Sequence, residues 1–247
     1  MMKTYRTMAG LLALTLLSAS CSRQSNGSDG RISFSVNADA QVTAVTRSNV
    51  SDYTESIPDA GDFNIVVTNS SGSEIFNGNL KDYDTQTTLK VGNYSVKASY
   101  GSLTDEGFDK PCFSGEKTFA VTGGSTTDVT IPVTLANCIV RIECTDIFKA
   151  YYTDYTFTVK TGGGTEISFP KGTEQAAFVD AYYITVSGTL TNQAGKEKTF
   201  SKEYRSLSPK TCYTIGFNAS NVGGSSVTIT FDGSVEDVNL DEVELNK

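Results

Sequence analysis

Cysteine is the side chain in this sequence with the widest chemistry, and there are five: Cys21, Cys112, Cys138, Cys144 and Cys212. A thiol can be acylated, oxidised to a disulfide, bound to a metal or used as a nucleophile. The chain contains no histidine, which removes the commonest general base and the commonest zinc ligand. No C-x-x-C pair is present either, so a zinc site has no ligand set. Cys138 and Cys144 fall on the same parity of one apolar alternating run. Six residues of strand span about 20 Å, whereas a disulfide needs Cα atoms within about 7 Å. Those two thiols therefore read as buried and free. Cys212 is opposite in parity to Tyr213, Ile215 and Phe217, and is expected to face outward.

Cys21 sits in a different setting. Lys3 and Arg6 precede a mostly apolar run from Met8 to Leu17, and Ser18, Ala19 and Ser20 lead directly to the thiol. Charge, short apolar run and small residues make an export signal, too short to cross a membrane as a helix. A cysteine in that place is the acylation point of a bacterial lipobox, although Leu17 stands four residues before it where three is usual. Residues 1–21 are thus expected to be a lipoprotein signal peptide, the alternative being a non-lipidated signal cut near Ser20. The expected partner is a membrane, reached through acyl chains on Cys21.

The remaining polar chemistry is diffuse. Asp82 and Asp84, and the acids between Glu236 and Glu244, match no D-x-[DN]-x-[DN]-G calcium loop. They read as solvated charge that protects sheet edges. No G-x-x-x-x-G-K follows a strand, so no phosphate loop, no metal and no other cofactor is expected. Tyrosine is dense in KAYYTDYTF (149–157) and AYY (181–183). Such rings stack on sugars or anchor protein contacts, which makes Tyr151, Tyr152 and Tyr183 candidate ligand-facing aromatics. Packing within strands is the competing reading. The net charge of −8 becomes more negative once Lys3 and Arg6 leave with the signal, which argues against nucleic acid as a partner. Arg47, in AQVTAVTRSNVSD (40–52), is either a solvated charge in a linker or a protease site.

The elements that must hold these residues are strands. Val, Ile, Thr, Tyr and Phe recur in alternation, and Gly, Ser, Asn and Asp punctuate them. After a polar tether (22–30) come Ile32–Ala38, Phe63–Val67, Leu89–Val91, Tyr94–Tyr100, Phe119–Val121 and Val129–Leu135, six or seven strands by residue 135. Inward positions are odd up to Leu135 and even from Cys138 to Cys144. A one-residue slip exchanges the faces of a strand, so a sheet switch and a domain boundary are placed at Ala136–Asn137. The second half repeats the plan, with Tyr182, Ile184, Val186, Gly188 and Leu190 as one inward row. TEQAAF (173–178) is its one helical turn, and a bulge is expected near Asp241–Glu242. The reading is all-β, two tandem β-sandwiches at 31–136 and 137–247.

GNYSVKASYG (92–101), GFDKPCFSG (107–115) and Leu135–Ala136–Asn137 carry a resemblance to a known family. They resemble the Bacteroidales lipoproteins catalogued as domain of unknown function 4493, whose pattern runs L-x-x-G-x-Y-x-V-x-A-x-x-G, then G-F-x-x-P-x-F-x-G, then L-A-N. Cys112 stands where that pattern usually has an aromatic. The motifs are structural, and the family has no established activity to carry over.

The same architecture is similar to the fimbrillin-like two-domain pilins and adhesins, which implies transthyretin- or Ig-like Greek-key sandwiches in tandem. In those pilins an Arg-specific protease removes the first strand, and a donor strand from the next subunit fills the groove. Thr46–Arg47 resembles that cleavage site. The resemblance implies a non-enzymatic adhesin or fimbria-like subunit, lipid-anchored at the outer membrane and exposed on the cell surface. Its partners would be further pilin-like subunits or a ligand on a host or microbial surface. A glycan-binding outer-membrane lipoprotein that does not polymerise is the alternative.

Overall fold

The structure, a computed structural model, describes residues 29–39, 41–42, 48–219, 226–231 and 234–239. The signal, Cys21, Arg47 and the expected bulge at Asp241–Glu242 lie outside the described residues. The first half holds β1 (Asp29–Asp39), β2 (Gln41–Val42), β3 (Ser48–Asn49), β4 (Asn64–Asn69), β5 (Glu74–Asn79), β6 (Thr88–Lys90), β7 (Gly92–Tyr100), β8 (Gly107–Phe108), β9 (Phe113–Val121) and β10 (Thr126–Leu135). The second holds β11 (Cys138–Cys144), α1 (Asp146–Tyr151), β12 (Tyr152–Thr161), β13 (Glu166–Pro170), β14 (Ala177–Val179), β15 (Tyr183–Asn192), β16 (Glu197–Arg205), β17 (Cys212–Ala219), β18 (Ser226–Phe231) and β19 (Ser234–Asn239). The fold is all-β, as the alternation predicts, and its sheets make two sandwich-like bodies in tandem.

The first body is built from one sheet in the order β5-β4-β7-β9-β10-β1-β6. This sheet curls. β9 pairs with β7 along its whole length but with β10 only at Phe113 and Ser114. The two strands approach so closely that a Cβ on Gly115 would stand 1.9 Å from the Pro132 carbonyl oxygen. Glycine is required there because backbone, not a movable side chain, occupies the space. Inside the curl, Ile65, Val67, Val96, Ile131, Val133 and Leu135 form a fully buried core, on the inward parity that the sequence indicates.

The second body has two sheets, β19-β18-β17-β11-β14-β8 and β13-β12-β15-β16. Phe148, Phe157, Phe169 and Phe217 fill the space between them. Phe157 and Phe217 stack at 4.2 Å between ring centroids, an aromatic pairing worth more than its area alone. The middle of the larger sheet is covered on both sides. Cys138, Val140, Ala177, Val179, Tyr213 and Ile215 face the second core. Ile139, Ala176, Phe178 and Cys212 face the first. Cys212 is therefore not outward as its parity suggested: it is 3% exposed, because the other face of β17 is roofed by the first body.

One further expectation is corrected. Residues 173–178 form no helical turn. Ala177–Val179 is β14, all three residues buried, and a strand covered on both faces reads as an unbroken apolar run. The helix lies instead at Asp146–Tyr151, started by Thr145, whose hydroxyl accepts the Phe148 N–H at 3.2 Å. In the link between β10 and β11, Asn137 is buried. Its Oδ1 accepts the Cys112 N–H at 3.2 Å and its Nδ2 donates to the Lys110 carbonyl at 2.9 Å. β8, early in the sequence, pairs with β14 of the second body.

Candidate functional site

β1 is placed by two unequal partnerships. It runs parallel to β10 from Arg31↔Thr126 to Asp39↔Thr134. It is antiparallel to β6 only over Asp29–Arg31. From Ile32 onward its second edge has no partner strand among the described residues. Ile32 is fully buried. Phe34 meets Tyr83 edge-on at 4.8 Å and Phe119 at 5.6 Å. An ion pair closes each end: Asp29 with Lys90 at 3.0 Å, and Asp39 with Lys210 of the second body. The Lys210 ammonium, hydrogen-bonded to Asp39, holds that carboxyl below its ordinary range, and the Gln41 N–H adds to the effect.

Arg47 belongs to the connection between β2 and β3, which pair at Gln41↔Asn49 and Val42↔Ser48. The chain that follows makes contacts of its own. Asp52 accepts the Asn49 N–H at 2.7 Å, the Ser48 and Tyr53 hydroxyls lie 2.8 Å apart, and Val50 is fully buried. Thr54 donates to Asp109 at 2.8 Å. Burial raises the Tyr53 phenol, as does its hydrogen bond with Cys212.

The three candidate tyrosines do not form one surface. Tyr152 is 4% exposed, against Phe148 at 4.9 Å. Tyr151 is half-buried, edge-on to Tyr152. Tyr183 lies at the other end of the sheet, since Tyr152 pairs with Asn192, nine residues along β15; that is about 30 Å. Tyr183 is half-buried beneath the Arg205 guanidinium, 5.3 Å from the ring centroid.

Its neighbour Tyr182, expected to point inward, is 65% exposed. β15 begins only at Tyr183, and Tyr182 sits in a turn, its N–H donated to the Asp180 carbonyl at 2.8 Å. The parity argument missed it by extending the strand one residue too far. The Asp180–Ala181 pair just before it was the available signal.

A cleft of about 480 Å³ opens at the far end of β11, lined by Arg141, Cys144, Lys149, Tyr155, Pro170 and Glu174 among others. The ladder between β11 and β14 stops at Val140↔Ala177, which leaves this space. Desolvation pushes the Cys144 thiol up to about 11, and Cys138, deeper, up to about 12. Burial also raises Cys112 and Cys212. Such thiols are poor nucleophiles at neutral pH. All four are free. Among the described residues no cluster of His, Cys, Asp or Glu is arranged to hold a metal ion. No helix among them is long and apolar enough to cross a membrane.

Solved structures give several matches. A candidate cell-adhesion protein from Bacteroides ovatus is 14% identical with a TM-score of 0.48, covering 86% of this chain and 99% of its own. A candidate polysaccharide-binding protein from Bacteroides thetaiotaomicron is 15% identical with a TM-score of 0.42, covering 89% and 99%. The fimbrial anchor protein Mfa2 from Porphyromonas gingivalis is 10% identical with a TM-score of 0.37, covering 83% and 98%. A search of curated proteins returned no match. The model of the family described as a domain of unknown function, DUF4493, matches residues 28–246, and the chain belongs to that family.

Proposed function

We propose that this protein is a lipid-anchored surface subunit of adhesin or fimbria-like type, without enzymatic activity, whose first strand is its removable part. The observation that carries the reading is the placement of β1. It is held by β10 on one edge and by three residues of β6 on the other, while the chain from Ser48 onward also has side-chain contacts outside β1. A cut after Arg47 would take away β1, β2 and, with Cys21, the lipid. It would leave the Thr126–Thr134 edge of β10 unpaired and open the core at Ile131 and Val133, a groove suited to strand addition from another subunit. An uncut copy would stay anchored at the outer membrane, exposed on the cell surface. The two bodies, 31–136 and 137–247, would then act as the repeating unit.

The test is the N-terminal sequence and intact mass of the protein taken from its native membrane, with unheated gels alongside. A Ser48 N-terminus and a ladder of multiples are expected for the assembled form. Full-length lipidated monomer alone would end the polymer reading. A glycan-binding lipoprotein that does not polymerise is the second reading, favoured by the exposed ring of Tyr182.

A further inference from the structure

Among the described residues Tyr182 is the most exposed of the large hydrophobic side chains, and its surroundings are organised. Tyr182 and Tyr183 lie 5.1 Å apart, ring to ring. Both lie over Gly162: a Cβ there would come within 2.7 Å of Tyr182 Cδ1 and 3.0 Å of Tyr183 Cε1. The Tyr182 ring thus lies close against backbone on one side, and at 65% exposure the rest of it meets solvent. Gly162 is held to Tyr183 by its own N–H, donated to the Tyr183 carbonyl at 2.9 Å.

Glu106, the residue just before β8, fixes both segments that make the shelf. Its Oε2 accepts the Thr161 hydroxyl at 2.5 Å and its Oε1 accepts the Asp180 N–H at 2.9 Å. Beside the rings, Arg205 pairs with Glu203 at 2.6 Å. Register places Tyr183 against Arg205 and Thr185 against Glu203, so these groups share the outward face of the four-stranded sheet. Further along that face a row of hydroxyls crosses all four strands, Ser168, Thr158, Ser187 and Ser201.

An open ring face beside a guanidinium–carboxylate pair on a hydroxyl-lined sheet suits a pyranose. The sugar's C–H face stacks on the ring, and its hydroxyls exchange hydrogen bonds with the charged fork. A protein partner would want apolar anchors at the centre of its footprint, and beyond the two tyrosines this face offers hydroxyls and charge. The neighbouring Glu106, Asp180 and Glu203, on a chain of net charge −8, disfavour an acidic ligand.

We infer that Tyr182, seated on Gly162 and next to Tyr183 with its overlying Arg205–Glu203 pair, is a binding site for a neutral glycan. This deepens the adhesin reading by giving it a ligand class, and it rests on no cleavage or polymerisation. The experiment applies the full mature chain to an array of neutral mannan, xylan and β-glucan oligosaccharides with sialylated ones alongside. Tyr182→Ala and Gly162→Ala are compared with wild type, and circular dichroism verifies their fold. Because Tyr182 is exposed, the Tyr182→Ala protein is expected to melt with wild type and to lose at least tenfold in retention on a neutral glycan. Gly162→Ala, which displaces the rings, is expected to weaken the same spots. No wild-type retention, retention of sialylated glycans alone, or equal retention by folded Tyr182→Ala would overturn the inference. Gel ladders from native membranes report on assembly separately, so failure of one reading is distinguishable from failure of the other.

Discussion

Asp39, the last residue of β1, is ion-paired with Lys210, two residues before β17. The two are far apart in sequence, and their contact ties the end of the first strand to the second body. Asp39 is held below the ordinary carboxylate range by Lys210. A lowered folded value means a contribution present above the unfolded carboxylate range and lost as pH falls through the folded value. The pair is exposed, so its worth is about 0–1 kcal/mol. The amide protection factor, taken relative to the intrinsic exchange rate, is expected to fall at the Asp39 end of β1 in Lys210→Ala at pH 7. Wild type should show the same fall in protection factor when acidified below about pH 4. No change at that end under either condition would remove the clamp from the account.

The grip on β1 is otherwise apolar, and Ile32 is its deepest point. Ile32→Ala should cost about 2–5 kcal/mol in urea unfolding. Ala38, exposed on the same strand, should tolerate Ser with no measurable loss. If the first body keeps its stability without Ile32, β1 is an ornament on the sheet rather than part of its core.

Asn137, in the link between β10 and β11, is a buried amide that ties down the Lys110–Cys112 segment. Asn137→Leu removes the acceptor of the Cys112 N–H and the donor to the Lys110 carbonyl. Leaving these two groups unpaired should cost about 1–3 kcal/mol for each one that water cannot reach. Calorimetry of the variant gives the figure. An unshifted melting temperature would mean that water replaces the amide.

The thiols make a chemical prediction. With Cys144 raised to about 11 and Cys138 to about 12, roughly one Cys144 in a thousand is ionised at pH 8. Alkylation of the native protein with iodoacetamide at pH 8 should therefore leave Cys138 unmodified and touch Cys144 only slowly, whereas urea should release all four. Prompt native modification of Cys138 would contradict the burial described above.

Much of the fold was legible in the sequence because most strands here cover a core on one face only. The inward residues of β7 and β10 follow their alternation residue by residue. After Leu135 the even-numbered Cys138 and Val140 face the second core while the odd-numbered Ile139 still faces the first. Reading failed where that one-face premise fails. Cys212 and Phe178 sit on strands buried on both sides, so alternation says nothing about which residue is covered. α1 was hidden by its own tyrosine-rich, strand-like composition. The candidate site was less legible still. Tyr182 gains its exposure from a turn one residue long, and its seat is a glycine from another hairpin. Arg205 and Glu106 reach it through pairings that no local pattern reveals.

The wall formed by β11, β14 and β17 has a mechanical meaning. Ile139 and Cys212 belong to one interior while Cys138 and Tyr213 belong to the other, so neither half owns the partition. A pull on one half passes into the next through packed side chains rather than along a bare tether. Two sandwiches sharing a partition bear load as one stiff block, without a hinge between them.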